Sequence, residues 1–82
     1  MASAQIRTGS SGLHIYKRLH IYVSAMPALG LEWRPLGIVS DLSGPDVIEL
    51  QRILSQETFD TVEGAERRAL ELCKGWIDEQ QE

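Results

Sequence analysis

A single cysteine, Cys73, stands among the 82 residues, so no disulfide can form within the chain. Two histidines and one thiol are also too few for the Cys/His clusters that staple many small metal-bound domains. Without either staple, a chain of this length must fold on its hydrophobic core alone, with a stability of only about 3–5 kcal/mol. An unpaired thiol suits a reducing compartment. Long apolar runs are missing as well. Nothing approaches the roughly 18 residues needed to cross a bilayer, and the opening MASAQIRTGSSG lacks the apolar stretch of roughly 7–15 residues that a signal peptide requires. A cytoplasmic protein with no membrane partner is the expectation. There are no internal repeats and no low-complexity tract.

What is present is ordinary globular composition, 43% hydrophobic and 24% charged. The net charge of −4 is unevenly placed. Residues 1–40 carry four bases (Arg7, Lys17, Arg18, Arg34) against Glu32 alone, net +3, whereas residues 41–82 carry four bases against eleven acids, net −7. A fold that sets sheet and helix on opposite sides would have a mildly basic face and an acidic one, able to guide head-to-tail association or association with a partner. Nucleic-acid binding needs a concentrated basic patch. The isoelectric point near 5.1 disfavours that class of partner.

Met1 to Gly12 is small and polar, with Gly9-Ser10-Ser11-Gly12 in a row, and reads as a flexible arm. A single domain then occupies residues 13–79, with 80–82 a frayed end. Leu13–Tyr16 and Leu19–Met26 are rich in residues that favour a pleated backbone. In the second stretch Ile21, Val23 and Ala25 fall on one face and His20, Tyr22 and Ser24 on the other, the pattern of a half-buried strand. Lys17-Arg18 is either a tight turn between two strands or an irregularity within one. Pro27–Gly30 reads as a connecting turn. Leu31–Ser40 resumes the strand pattern, and Pro35 and Gly37 inside it point to an edge or a bulge. After the loop Asp41–Pro45, Val47–Leu54 alternates as a strand. Val47, Leu50, Ile53 and Leu54 also fit a helical stripe there, but the strand reading is preferred.

Thr61 is placed to cap a helix by accepting a bond from a backbone N–H two or three residues on. At 100° per residue, Val62, Ala65, Ala69, Leu72, Cys73 and Trp76 share one arc, widened by Leu70 and Ile77. Arg67, Arg68, Glu71, Lys74 and Asp78 lie away from it. The result is an amphipathic helix of about four turns, and the strands supply the apolar surface it lies on. The fold class is therefore α+β: an antiparallel meander of three strands, or four if Lys17-Arg18 turns, packed against one C-terminal helix.

The segments Phe59-x-Thr61-x-x-x-Ala65 and Trp76-Ile77-Asp78 resemble those of short uncharacterised bacterial proteins with a small antiparallel sheet and a late helix. The same helix entry and exit are distantly similar to those of HicB-type antitoxins, whose partial RNase H-like fold pairs a small sheet with such a helix. That second resemblance implies an RNA-binding or antitoxin-like role for the basic first half of the chain.

Few side chains invite chemistry. His14 and His20 would share a face of an unbroken strand about 20 Å apart, too far to hold one metal ion, and read as isolated surface residues. Cys73 falls inside the apolar arc, where burial raises a thiol's pKa and blocks access. Glu66 projects into the widened arc and reads as an edge side chain bending toward water or an arginine. Trp33 and Trp76 read as two halves of the core, strand against helix. Gly64 and Gly75 lie on the helix's outer side and read as simply tolerated. No catalytic residue, metal ligand, cofactor or small-molecule substrate is expected. The expected role is a non-enzymatic protein-interaction or regulatory module, contacting another protein or a second copy of itself as a homodimer. The candidate contact residues are Tyr22, Met26, Lys17, Arg18 and Arg34.

Overall fold

The computed structural model describes residues 12–80. Four strands, β1 (Gly12–Tyr16), β2 (Leu19–Pro27), β3 (Trp33–Asp41) and β4 (Ile48–Leu54), precede one helix, α1 (Val62–Gln80). The strands form a single antiparallel meander in the order β1-β2-β3-β4, and the helix lies across one face of it, over β2 and β3. The α+β architecture expected from the sequence is the one observed, with the fourth strand present. Of the arm expected over Met1–Gly12, residues 1–11 lie outside the described residues, while Gly12 opens β1 opposite Val23. Residues 81 and 82 also lie outside, and Gln80 is helical.

Lys17-Arg18 is a two-residue hairpin turn. Both residues sit in the left-handed region, at φ 50° and 71°, as the turn that matches strand twist demands. Neither is a glycine or asparagine, so the backbone is held at a disadvantage of roughly 1–2 kcal/mol per residue. Side chains flanking the turn anchor it to the helix. The Tyr16 hydroxyl donates to Asp78 Oδ1 at 2.9 Å, and Lys17 Nζ reaches the same oxygen at 2.6 Å. The Lys17 and Lys74 ammonium groups lie 5.4 and 5.3 Å from the Tyr16 ring centre.

Pro35 and Gly37 do not mark an edge strand, because β3 is interior, paired with β2 and β4 on its two sides. The proline is tolerated because its missing N–H points to the side where β4 has already ended. The last β3–β4 pair is Leu36 with Leu54, and beyond it Pro35 only accepts a bond, from the N–H of Ser55 at 3.0 Å. The one irregularity in that ladder falls between Val39 and Ser40 and leaves Leu50 as the extra residue of β4.

Gly37 has a packing role. A Cβ built there would overlap the Cys73 sulfur and stand 3.3 Å from the Ala69 carbonyl oxygen. Backbone and helix therefore meet directly, which only small residues permit. Ala69 and Cys73 supply them and, with Ile77, are fully buried against Ile21, Val23 and Val39; Ala65 is buried one turn earlier. The larger Val62, Leu72 and Trp76 flank this line and are half-buried, so the helix is rolled slightly from the expected arc. Its 19 residues make five turns rather than four, about 28 Å long. The Thr61 hydroxyl caps it, accepting from the Gly64 N–H at 3.0 Å. Gly64 is confined rather than merely tolerated: a Cβ there would stand 3.1 Å from that hydroxyl and 3.4 Å from the Phe59 ring.

The tryptophans do not form one core pair. Trp33 exchanges backbone bonds with Phe59, three residues before the helix begins, at 2.8 and 2.9 Å. Trp76 lies near the far end, two residues before Asp78, and both indoles are half-buried.

Candidate interaction face

The sheet register fixes which side chains face away from the helix. Residues paired across an antiparallel ladder share a face, so the helix-free side consists of four rows. The first holds Ile15, His20, Ser40 and Glu49; the second holds Leu13, Tyr22, Ile38 and Arg52. Ser24, Leu36 and Leu54 make the third, and Met26 and Arg34 the fourth. Strands about 4.8 Å apart and rows about 6.7 Å apart give a face of roughly 19 by 25 Å. No other element among the described residues packs on it, and the shortest extent of the backbone is 16 Å, the depth of one sheet and one helix.

The centre of this face is apolar. Tyr22, Ile38 and Leu36 are contiguous there, flanked by Leu13, Leu54 and Met26, while water covers 61% of Leu13 and 72% of Ile15. Charge sits at the margins. Arg52 and Glu49 pair with each other on β4 at 2.9 Å. Arg34 lies at the opposite end, half-buried, and its Nε is enclosed with no hydrogen-bond partner among the described residues. His20 Nδ1 is enclosed in the same way. Buried polar atoms in folded chains are mostly satisfied, so two such atoms on one face are notable.

Of the five contact residues expected from the sequence, Tyr22, Met26 and Arg34 are brought together on this face, Met26 directly opposite Arg34. Lys17 and Arg18 are not. They form the hairpin turn at the other end, and Lys17 is held by Asp78 of the helix. Leu13, Ile15, Arg52 and Leu54, which no local sequence pattern assigns to a contact, are also on the face. Their signal was the cross-strand register, which follows from the turn positions.

The remaining sequence candidates are dispersed. The two-residue turn puts His14 opposite Ile21 and Ile15 opposite His20, so the imidazoles lie on opposite sides of the sheet rather than sharing one. Among the described residues no three His, Cys, Asp or Glu side chains are grouped closely enough to hold a metal ion. Cys73 is fully buried under Gly37, and that burial pushes its thiol up to about 11, so little thiolate exists near neutrality. Glu66 does not bend out to water: it is 4% exposed, buried along the same side of the helix as Ala65, Ala69, Cys73 and Ile77. With His14, Val23, Glu63, Arg67 and Leu70 it lines an open cleft of about 260 Å³. The outward side of the helix carries charge, including the Arg68 ion pairs to Glu57 and Glu71 at 3.2 Å. Among the described residues no helix is long and apolar enough to cross a membrane.

No protein-family model, no curated protein and no solved structure matches this chain.

Proposed function

We propose that this chain is a non-enzymatic protein-interaction module whose working surface is the helix-free face of the sheet. One observation carries the reading: Tyr22, Leu36 and Ile38, with Leu13 and Leu54 beside them, form a continuous apolar centre that no element among the described residues covers. Contiguous exposed apolar surface with a polar margin is the mark of a binding surface rather than of a solvated one. The margin of Arg34, Arg52 and Glu49 suits a protein partner, since it carries both signs of charge. A reducing compartment, the cytoplasm, is the setting that a lone unpaired cysteine supports.

The test is site-specific photocrosslinking in cells expressing the full chain. A photoreactive residue replacing Tyr22 should form protein adducts, a second copy included. The same group replacing Glu71, on the helix's outer side, should form none. Equal labelling from both positions, or adducts to RNA from position 22, would overturn the reading. The RNA result would favour an antitoxin-like role instead.

A further inference from the structure

We infer that the occupant of the helix-free face is a second copy of this chain, packed sheet against sheet about a two-fold axis perpendicular to the strands. The inference rests on the reading of that face as an interaction surface and names what covers it. Three features of the molecule support it.

The first is size. Two faces of roughly 19 by 25 Å in contact would bury at most about 950 Å² in total, just under the roughly 1,000 Å² of a stable specific interface and in the range of weak, reversible association. Two twisted sheets also pack well face to face, interdigitating their inner side chains at about 10 Å.

The second is the charge of the alternatives. The helix's outer side carries Glu71 and Glu79 together with Arg67 and Arg68, the latter ion-paired with Glu57 and Glu71. Helix-to-helix contact would have to strip water from these charged groups. Head-to-tail contact would press the apolar centre around Ile38 onto that charged surface. Sheet-to-sheet contact buries apolar groups against apolar groups and leaves the charged helix surfaces on the two outer sides, in water.

The third is self-complementarity. A two-fold axis across the strands, between the second and third rows, reverses the row order between copies. Ile38 then meets the partner's Leu36, and Tyr22 meets the partner's Ser24. Arg34, in the fourth row, comes over the partner's first row, one strand from the partner's Glu49. This brings opposite charges of the two copies to the same margin, with Glu49 also paired to Arg52 of its own strand. The same operation sets the β2–β3 loop, with Leu31 91% exposed, near the partner's β3–β4 loop, where Val47 is 70% exposed.

Sedimentation velocity on the full chain from about 1 to 500 µM tests this. The expected result is a concentration-dependent species of twice the 9.2 kDa chain mass that grows no further. Ile38→Asp should weaken association at least a hundredfold, and Glu79→Ala, on the helix, should leave it unchanged. Tyr22→Lys, at a position already 42% exposed, serves the same purpose if circular dichroism shows Ile38→Asp unfolded. Arg34→Glu and Glu49→Arg should each weaken self-association tenfold or more, while an equal mixture of the two variants should associate again as a mixed dimer. A chain that stays monomeric throughout would overturn the second-copy inference yet leave protein adducts from position 22 meaningful. Loss of those adducts would remove the underlying reading. Dimers indifferent to both face substitutions, growth beyond the dimer, or failure of the mixture to recover would also overturn it.

Discussion

Replacing Gly37 by alanine tests the closest contact in the fold. The new methyl would overlap the Cys73 sulfur and crowd the Ala69 carbonyl oxygen at 3.3 Å. Neither obstacle is a flexible side-chain end: one is a buried thiol, the other helix backbone. The helix must lift or shift, and overpacking of this kind costs about 1–3 kcal/mol. Against it stands the reduced freedom of the unfolded chain, worth about 0.4–1 kcal/mol in the mutant's favour. The net expectation is a loss of about 1–2 kcal/mol, which in a domain of this size lowers Tm by about 5–15 °C. Urea denaturation followed by tryptophan fluorescence measures it. Gly75→Ala is the control: it lies in the same helix with nothing within 4 Å of a new Cβ, so it should stabilise by about 1 kcal/mol. A double-mutant cycle localises the clash. Cys73→Ala removes the sulfur, so Gly37→Ala should be less damaging in that background by about 1 kcal/mol. If Gly37→Ala is neutral or stabilising, or if the cycle is additive, the helix does not lie on β3 as described.

Three further outcomes follow from the same geometry. Arg18→Gly relieves a left-handed residue at φ 71° and should stabilise by about 0.5–1 kcal/mol in thermal denaturation, once glycine's extra freedom when unfolded is set against the strain removed. The Cys73 thiol, pushed to about 11 by burial, should resist a disulfide reagent near neutral pH and react in step with unfolding as urea is added; immediate stoichiometric labelling would contradict its place in the core. The Lys17 and Tyr16 hydrogen bonds hold the Asp78 carboxyl below its ordinary 3.8, so its contribution is complete above that value and fades as the pH falls through the lower folded value. Urea midpoints should therefore fall between about pH 5 and about pH 2.5, and fall less in Asp78→Asn.

The elements were legible because their local signals agreed. Ile21 and Val23 alternate against Tyr22, Thr61 precedes an apolar stripe of helical period, and both patterns appear in the fold. Pro35 misled because its effect depends on where the neighbouring strand stops. β4 ends at Leu54, which frees one side of β3 at that residue alone, and no local pattern in 31–40 carries that information. Helix roll was hidden for a similar reason. Period alone gives Leu72 and Ala69 equal claim to the core, whereas the bare backbone of Gly37 draws in the smaller side chain and leaves Leu72 on the flank. The histidines separated once the turn was fixed, because two residues at Lys17-Arg18 put His14 and His20 on opposite faces. The candidate face was partly visible in Tyr22 and Met26. Arg52 and Leu54 joined it through pairing with β3, a tertiary fact. Lys17 and Arg18 belong to the basic half of the sequence, yet their positions are set by turn geometry and by Asp78.

Methyl-resolved NMR with a soluble paramagnetic probe, at about 5 µM and again at about 500 µM, tests most directly whether the helix-free face receives a partner. The methyls of Leu13, Leu36, Ile38 and Leu54 should be broadened by the probe in the dilute sample and protected in the concentrated one, with those of Ile21, Val39 and Ile77 protected in both. Methyls of Leu36 and Ile38 equally broadened at both concentrations, or already shielded in the dilute monomer, would contradict the account.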